Sequence, residues 1–324
     1  MSPPASIQSH ADAAMPRLPV ERMLSVCAVL VTYHPDLGVL ATLLDRLVLQ
    51  VGHVVLLDNA SHELGLRGLC ATHPAVELLE LPENQGLAAA LNAGIVCARA
   101  REQTSHVLLM DQDSVPDTDM VRMLDAELES LGKDKKVAAV GPRFRDPRES
   151  AEAPFVRIRF PFNRKLDCGG GCEAIRCDFL ISSGCLIPLA VLDEVGGMDD
   201  ALFIDNVDLD WCFRAAAAGY SLYGVCAAHL RHRLGDARQG VPGLPRGIVV
   251  HPPRRLFYMM RNRVLLYQRE YTPKRWIAQD LPRLLAKLLI FSLLVSPRRA
   301  NLRCMLAGLR AGIKGQTTAP PADT

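Results

Sequence analysis

Five short runs along the chain are almost wholly apolar: residues 24–31, 54–57, 76–81, 107–110 and 137–140. Each is β-branched or leucine-rich and four to eight residues long, which suits a strand covered on both faces. Between them lie segments with helical spacing. Residues 37–49 repeat apolar positions at intervals of three and four, residues 86–101 are rich in alanine, and residues 116–131 open on a proline. The order β-α-β-β-α-β-α-β predicts an α/β fold with a Rossmann-like, mostly parallel sheet and helices on both faces.

In such sheets function gathers at the carboxyl ends of the strands. Three predicted strands release a polar cluster at that end: Thr32-Tyr33-His34, Asp58-Asn59-Ala60-Ser61 and Asp111-Gln112-Asp113. Beyond Gly141 the texture changes to Arg/Pro-rich turns, an apolar run at 155–160, a glycine-rich turn at 169–171 and a predicted strand over 175–181. Residues 208–219 read as a helix closed by Gly219, followed by a strand at 221–226 and a polar turn around 229–236.

The chain has 324 residues, 49% of them hydrophobic, enough for one large α/β domain with an appendage or for two modest domains. The pattern divides it into a flexible leader (1–22), an α/β domain (23–270) and C-terminal basic, apolar helices (271–314). The α/β domain changes texture at about 141, between a first half that would hold a nucleotide and a second that would build the acceptor side, and 315–324 is expected to be a disordered tail. A net charge of +2 argues against a nucleic-acid partner, but the charge is uneven: from Pro273 onward there are nine Lys/Arg and two Asp/Glu. No run reaches the ~20 apolar residues of a spanning helix, and the leader lacks the pattern of a signal peptide, so a cytoplasmic protein is expected. The ten cysteines fall mostly inside apolar runs, as at Cys27, Cys97, Cys185 and Cys212, where free thiols in a reducing compartment are expected. Cys168, Cys172 and Cys177 invite a zinc reading, but no second paired ligand set accompanies them, and ordinary thiols are the preferred expectation.

Asp111 and Asp113 stand one residue apart at a strand end. Two carboxylates so placed can share a hard cation, Mg2+ or Mn2+, while the cation bridges diphosphate oxygens. A solvated turn with Asp113 capping the next helix is the competing reading. Trp211 offers a broad face to a sugar on the acceptor side, or a core indole. No glycine-rich phosphate turn follows the first strand, where Thr32-Tyr33-His34-Pro35-Asp36 stands instead, which argues against an NAD-dependent oxidoreductase.

Five motifs in one chain order carry a resemblance: Val29-Leu30-Val31-Thr32-Tyr33, Leu56-Leu57-Asp58-Asn59-Ala60-Ser61, Glu83-Asn84-Gln85-Gly86, Leu108-Leu109-Met110-Asp111-Gln112-Asp113, and the stretch from Phe203 to Trp211. Across residues 25–265 the chain resembles the family 2 glycosyltransferases, particularly their rhamnosyltransferase branch. That resemblance implies a GT-A fold and an inverting transfer from a nucleotide sugar, with dTDP-L-rhamnose as donor. The acceptor is a glycan or lipid-linked molecule in assembly of a bacterial surface polysaccharide or glycolipid. A UDP-hexose donor and a non-catalytic nucleotide-sugar-binding protein are the alternatives.

Carried over by position, the resemblance puts Thr32 and Tyr33 in the nucleoside pocket, Asp58 on the imide of a pyrimidine and Asn84 on the nucleotide. Asp111 contacts the donor and binds metal with Asp113, and His232 completes the metal site, with His229 as its substitute. Asp205 recognises the sugar, and Arg255, Arg261 and Asn262 approach the diphosphate. Ser183 and Gly184 form a turn facing the acceptor, and Asp208 is the catalytic base. Asp210 and Arg214, four apart, also suit a helical ion pair.

Residues 281–295 combine leucines with Arg283 and Lys287, and Arg298, Arg299 and Arg303 follow. The composition of 281–303 suits peripheral contact with the inner face of an anionic membrane, or packing on the catalytic domain or on a second copy in a homo-oligomer.

Overall fold

The structure, a computed structural model, describes residues 23, 25–146, 152–169, 173–232, 237–241, 244–317 and 319. The leader, the glycine turn at 170–171, Cys172 and most of the final tail lie outside them, as does the side chain of His232.

The chain begins β1 (Val26–Thr32), α1 (Leu37–Leu47), β2 (His53–Asp58), α2 (Leu66–Ala71), β3 (Val76–Glu80), α3 (Leu87–Arg99), β4 (His106–Asp111), β5 (Ser114–Pro116), α4 (Met120–Gly132) and β6 (Val137–Arg145). Next come β7 (Phe155–Arg157), β8 (Arg164–Leu166), β9 (Ala174–Cys177), β10 (Cys185–Pro188), α5 (Leu189–Val195), a 3-10 turn (Asp200–Leu202), α6 (Val207–Ala217) and β11 (Ser221–His232). The chain closes with β12 (Ala237–Val241), β13 (Leu244–Val250), α7 (Pro253–Tyr267), α8 (Lys274–Leu293) and α9 (Arg298–Ile313).

The main sheet has the order β3-β2-β1-β4-β10-β6-β11-β5, with β9 also on β11. The strands β3, β2, β1 and β4 are mutually parallel, as are β6 and β11, while β10, β5 and β9 run antiparallel to their neighbours. Alternation along β1 explains why its whole length is apolar. Cys27, Val29 and Val31 enter the layer under α3 and α6, while Val26, Ala28 and Leu30 enter the layer under α1 and α4. Both layers are dry, so the strand cannot slip by one residue without exchanging its two faces.

Three expectations change. The short helix α2 interrupts the predicted β-β step; its six residues are too few for a periodicity to show. Pro116 does not start a helix but ends β5, and α4 begins at Met120. Of the turn expected around 229–236, residues 229–232 instead continue β11, which pairs with β5, and 233–236 lie outside the described residues. No described helix is long and apolar enough to cross a membrane.

The thiol expectation fails at one place: Cys168 and Cys226 form a disulfide. Cys27, Cys97, Cys177, Cys185 and Cys212 are free thiols. With its sulfur committed to Cys226, Cys168 is not available as a zinc ligand.

Candidate active site

The end of β1 is flanked on both sides by carboxylates, because the parallel register sets Thr32 beside Asp58 and Val31 beside Asp111. Asp58 is buried, and its carboxylate is an assembly point for two loops. Oδ1 accepts from Thr32 Oγ1 at 2.9 Å and from the Ser61 hydroxyl, and Oδ2 accepts from the Ser61 amide at 2.9 Å. An ionised carboxylate has about four acceptor positions, so one on Oδ2 is left for a further donor. Thr32, expected in the nucleoside pocket, is fully buried and instead orients Asp58.

Tyr33 is 47% exposed and stands at the mouth of this edge. Its backbone is clamped on both sides by Gln112, whose Oε1 accepts from the Tyr33 amide at 2.7 Å and whose Nε2 donates to the Tyr33 carbonyl at 3.1 Å. Gln112 therefore ties the β1 loop to the two aspartates it separates. The sequence placed it in the motif but did not single it out. Asn84 Oδ1 accepts from Asn59 Nδ2 at 3.0 Å and from the Gly86 amide at 2.9 Å, which holds the loop entering α3 against the end of β2. Gly86 has φ +87°, and a Cβ there would meet the ring and carbonyl oxygen of Phe203. Loops from opposite halves of the chain thus meet at a glycine.

Three aspartates lie at and just before the start of α6, and their partners separate them. Asp210 is fully buried between cations, accepting from Arg214 Nε at 2.9 Å and Arg269 NH1 at 2.5 Å and from the Tyr271 hydroxyl at 2.6 Å. The expected helical ion pair with Arg214 is present. Asp205 pairs with Arg255, its carboxylate accepting from NH2 at 3.0 Å and Nε at 3.1 Å. Asp208 has neither: no described cation pairs with it, and the Leu209 amide donates to its carboxylate at 2.8 Å. Burial, followed by the negative charges of Asp111 and Asp205, pushes its carboxyl up to about 6, against the pull of that amide.

The same observation brings Asp111, Asp205 and Asp208 into one electrostatic neighbourhood, although they come from β4 and from the far side of the chain. Asp113, one residue beyond β4 and Gln112, is exposed. The backbone of His232 is registered opposite Ser114, next to Asp113, while its imidazole lies outside the described side chains. Among the described residues no group of three or more donors is assembled around a cation position. Two hard carboxylates nevertheless fit Mg2+ or Mn2+, which commonly takes one or two carboxylates and completes its shell with water and phosphate oxygens.

Five expected site residues face protein instead of ligand. Arg261 and Asn262 are fully buried. Arg261 donates to the carbonyls of Thr317, Ala201 and Leu202, and Asn262 Nδ2 donates to those of Leu202, Ile204 and Asp205. They hold the loop that carries Asp205, in which Phe203, Asp205 and Asn206 all have positive φ. Trp211 is core, its indole N–H on the Gly196 carbonyl at 3.0 Å. Ser183 is buried, with its hydroxyl 2.6 Å from Ser114 Oγ and accepting from the Asp111 amide at 3.4 Å, so it supports the turn after β4. Gly184 has φ +80°, and the atoms a Cβ would strike belong to Pro142 and Leu230.

The family model for Glycosyl transferase family 2 matches residues 27–183. A dTDP-rhamnosyl transferase, RfbF, from Shigella flexneri is 30% identical over 250 residues, covering 77% of this chain and 82% of that protein. Among solved structures, GalNAc-T7 with UDP, GalNAc and Mn2+ aligns with a TM-score of 0.55 at 14% identity, covering 81% of this chain and 55% of that one. S. aureus TarS aligns at 0.53 and 12% identity, covering 83% of this chain and 45% of that one. The chain spans about half the length of these two structures, and at such identities they speak for a shared GT-A fold alone.

Proposed function

The chain belongs to glycosyl transferase family 2, and on that footing we propose that it is an inverting rhamnosyltransferase with dTDP-L-rhamnose as donor. Its acceptor is a glycan or a lipid-linked glycan, and its place is the assembly of a bacterial surface polysaccharide or glycolipid. The observation that carries the reaction is the contrast among the three aspartates: Asp210 and Asp205 are matched by arginines, while Asp208 sits against like charge.

A carboxylate held in that way takes a proton readily near neutral pH, which is what a general base must do. In the proposed step the acceptor hydroxyl oxygen attacks the anomeric carbon, its proton passes to Asp208, and the bond to the nucleoside diphosphate breaks on the opposite face. Asp58 Oδ2 accepts the imide N–H of thymine or uracil, and Tyr33 covers the base. Arg255, beside Asp205, faces the sugar and the departing charge. Asp111 and Asp113, with His232 as the further candidate ligand, would hold the divalent cation, which supplies charge neutralisation for the leaving diphosphate.

The imide edge is common to thymine and uracil, so Asp58 does not choose between dTDP and UDP donors. The identity to the Shigella dTDP-rhamnosyl transferase favours the former. Hydrolysis and transfer assays with dTDP-rhamnose against UDP-glucose and UDP-galactose test it directly. Turnover of either UDP-hexose in preference to dTDP-rhamnose overturns the donor assignment, and turnover of none of the three overturns the enzyme reading.

A further inference from the structure

The outer face of α8 carries a leucine stripe. Leu281, Leu285, Leu289 and Leu293 recur every fourth residue and are 43%, 58%, 59% and 60% exposed. Steps of four advance only about 40° around a helix of 3.6 residues per turn, so the four lie along one side. The opposite side, with Trp276, Leu284 and Phe291, is buried against the protein. On α9, Leu302, Leu306 and Ile313 are exposed as well.

The charge around this surface has one sign. Every exposed ionisable side chain from Lys274 to Lys314 is cationic, including Arg283, Arg298, Arg299 and Arg303. The acid of that stretch, Asp280, is 3% exposed and accepts from the Tyr267 hydroxyl at 2.6 Å. Among the described residues none of these four arginines is in an ion pair.

We propose that this face of α8 and α9 is a docking surface for an anionic lipid bilayer, with the leucines at the acyl boundary and the arginines on the headgroups. Leucines that can enter the boundary, rimmed by cations, have the chemistry of a helix lying in the membrane plane. Neither α8 nor α9 can cross a bilayer. A second copy of the chain fits less well, because a two-fold interface on this face would set the same cationic rim against itself. The docking surface is independent of the donor assignment. Its use rests on the transferase reading: Lys287, on the buried side of α8, lies within electrostatic reach of Asp205 and Arg255. On that reading a lipid-anchored acceptor arrives on the outer side of the helix whose inner side carries Lys287.

The test is sedimentation of the full chain with vesicles of phosphatidylcholine alone or mixed with phosphatidylglycerol, at low and high salt. Binding is expected to the mixed vesicles and to fall about tenfold or more at high salt, as surface attraction is screened. Leu285→Ser with Leu289→Ser, and separately Arg298→Glu with Arg299→Glu, are expected to reduce it similarly. All four positions are exposed, and circular dichroism checks the fold. Equal binding to neutral vesicles, no binding to either, or a dimer by light scattering that the leucine variant dissociates would each overturn the proposal. Donor hydrolysis in the same samples reports on the transferase reading separately.

Discussion

Asn262 Nδ2 donates to the backbone carbonyl of Asp205 at 2.9 Å, from a helix that begins fifty residues after the loop it secures. The same amide also reaches the carbonyls of Leu202 and Ile204, so two protons serve three acceptors in a buried place. Beside it, Arg261 is stacked 4.9 Å from the Tyr258 ring centroid, which in turn stacks on Phe203 of the same loop.

Replacing Asn262 with leucine keeps the branching and the number of side-chain heavy atoms, adds some bulk and removes both protons. Buried carbonyls left without donors cost about 2 to 3 kcal/mol here, since each unmet group costs about 1 kcal/mol or more. Urea denaturation measures this, and an unchanged midpoint would show that the loop does not depend on Asn262.

Asp208→Asn is expected to lower transfer by about a hundredfold to ten-thousandfold, the usual range for a positioned general base. Donor affinity by calorimetry should change little, because the binding groups at Asp58, Tyr33 and Arg255 are untouched. Full transfer activity in this variant would remove Asp208 from the mechanism.

The raised carboxyl of Asp208 ties activity and stability to pH in opposite senses. The base works when deprotonated, so kcat/KM rises as pH passes upward through about 6. Stability moves the other way: the contribution of Asp208 is fully present below the unfolded value of 3.8 and is lost as pH rises through the folded value of about 6. Melting curves of the cation-free protein and of Asp208→Asn should therefore separate as pH rises from 3.8 to about 6 and stay apart above it, with the variant the more stable. Convergence at every pH would contradict the burial of charge described above.

Chelation of divalent cations with EDTA is expected to abolish transfer, and added Mn2+ or Mg2+ to restore it. Asp111→Asn should need a higher cation concentration for half-maximal rate, by about tenfold or more if this carboxylate is a direct ligand. Unaltered activity in excess chelator would exclude a metal role for Asp111 and Asp113.

The strands were readable because a sheet covered on both faces leaves little freedom: β1, β2, β3 and β4 lie within two residues of the apolar runs. The polar strand ends were readable for the same reason, since side chains such as Asp58 and Asp111 have no place inside those layers. What the pattern could not separate was a polar residue that meets ligand from one that meets backbone. Arg261, Asn262, Ser183 and Thr32 belong to the right neighbourhood, but their partners are carbonyls, an amide, a hydroxyl and another side chain. Their polarity is accounted for by the strained loops they secure, a relationship that exists only once distant segments are folded together. Gln112 was obscured for a related reason: its partner is the main chain of Tyr33, which leaves no trace in residue type.

The bond between Cys168 and Cys226, at a sequence separation of 58, closes the chain between them into a covalent ring, and Ser183, Gly184, Asp205 and Asp208 all lie on that ring. A protease that nicks the chain once between these cysteines leaves a molecule of unchanged mass on a gel without reductant, still holding its base. With reductant the same nick releases two pieces. The segment bearing Asp208 is thus a part of this enzyme whose connectivity, once the chain is cut, depends on the redox state of its surroundings and not on peptide bonds alone.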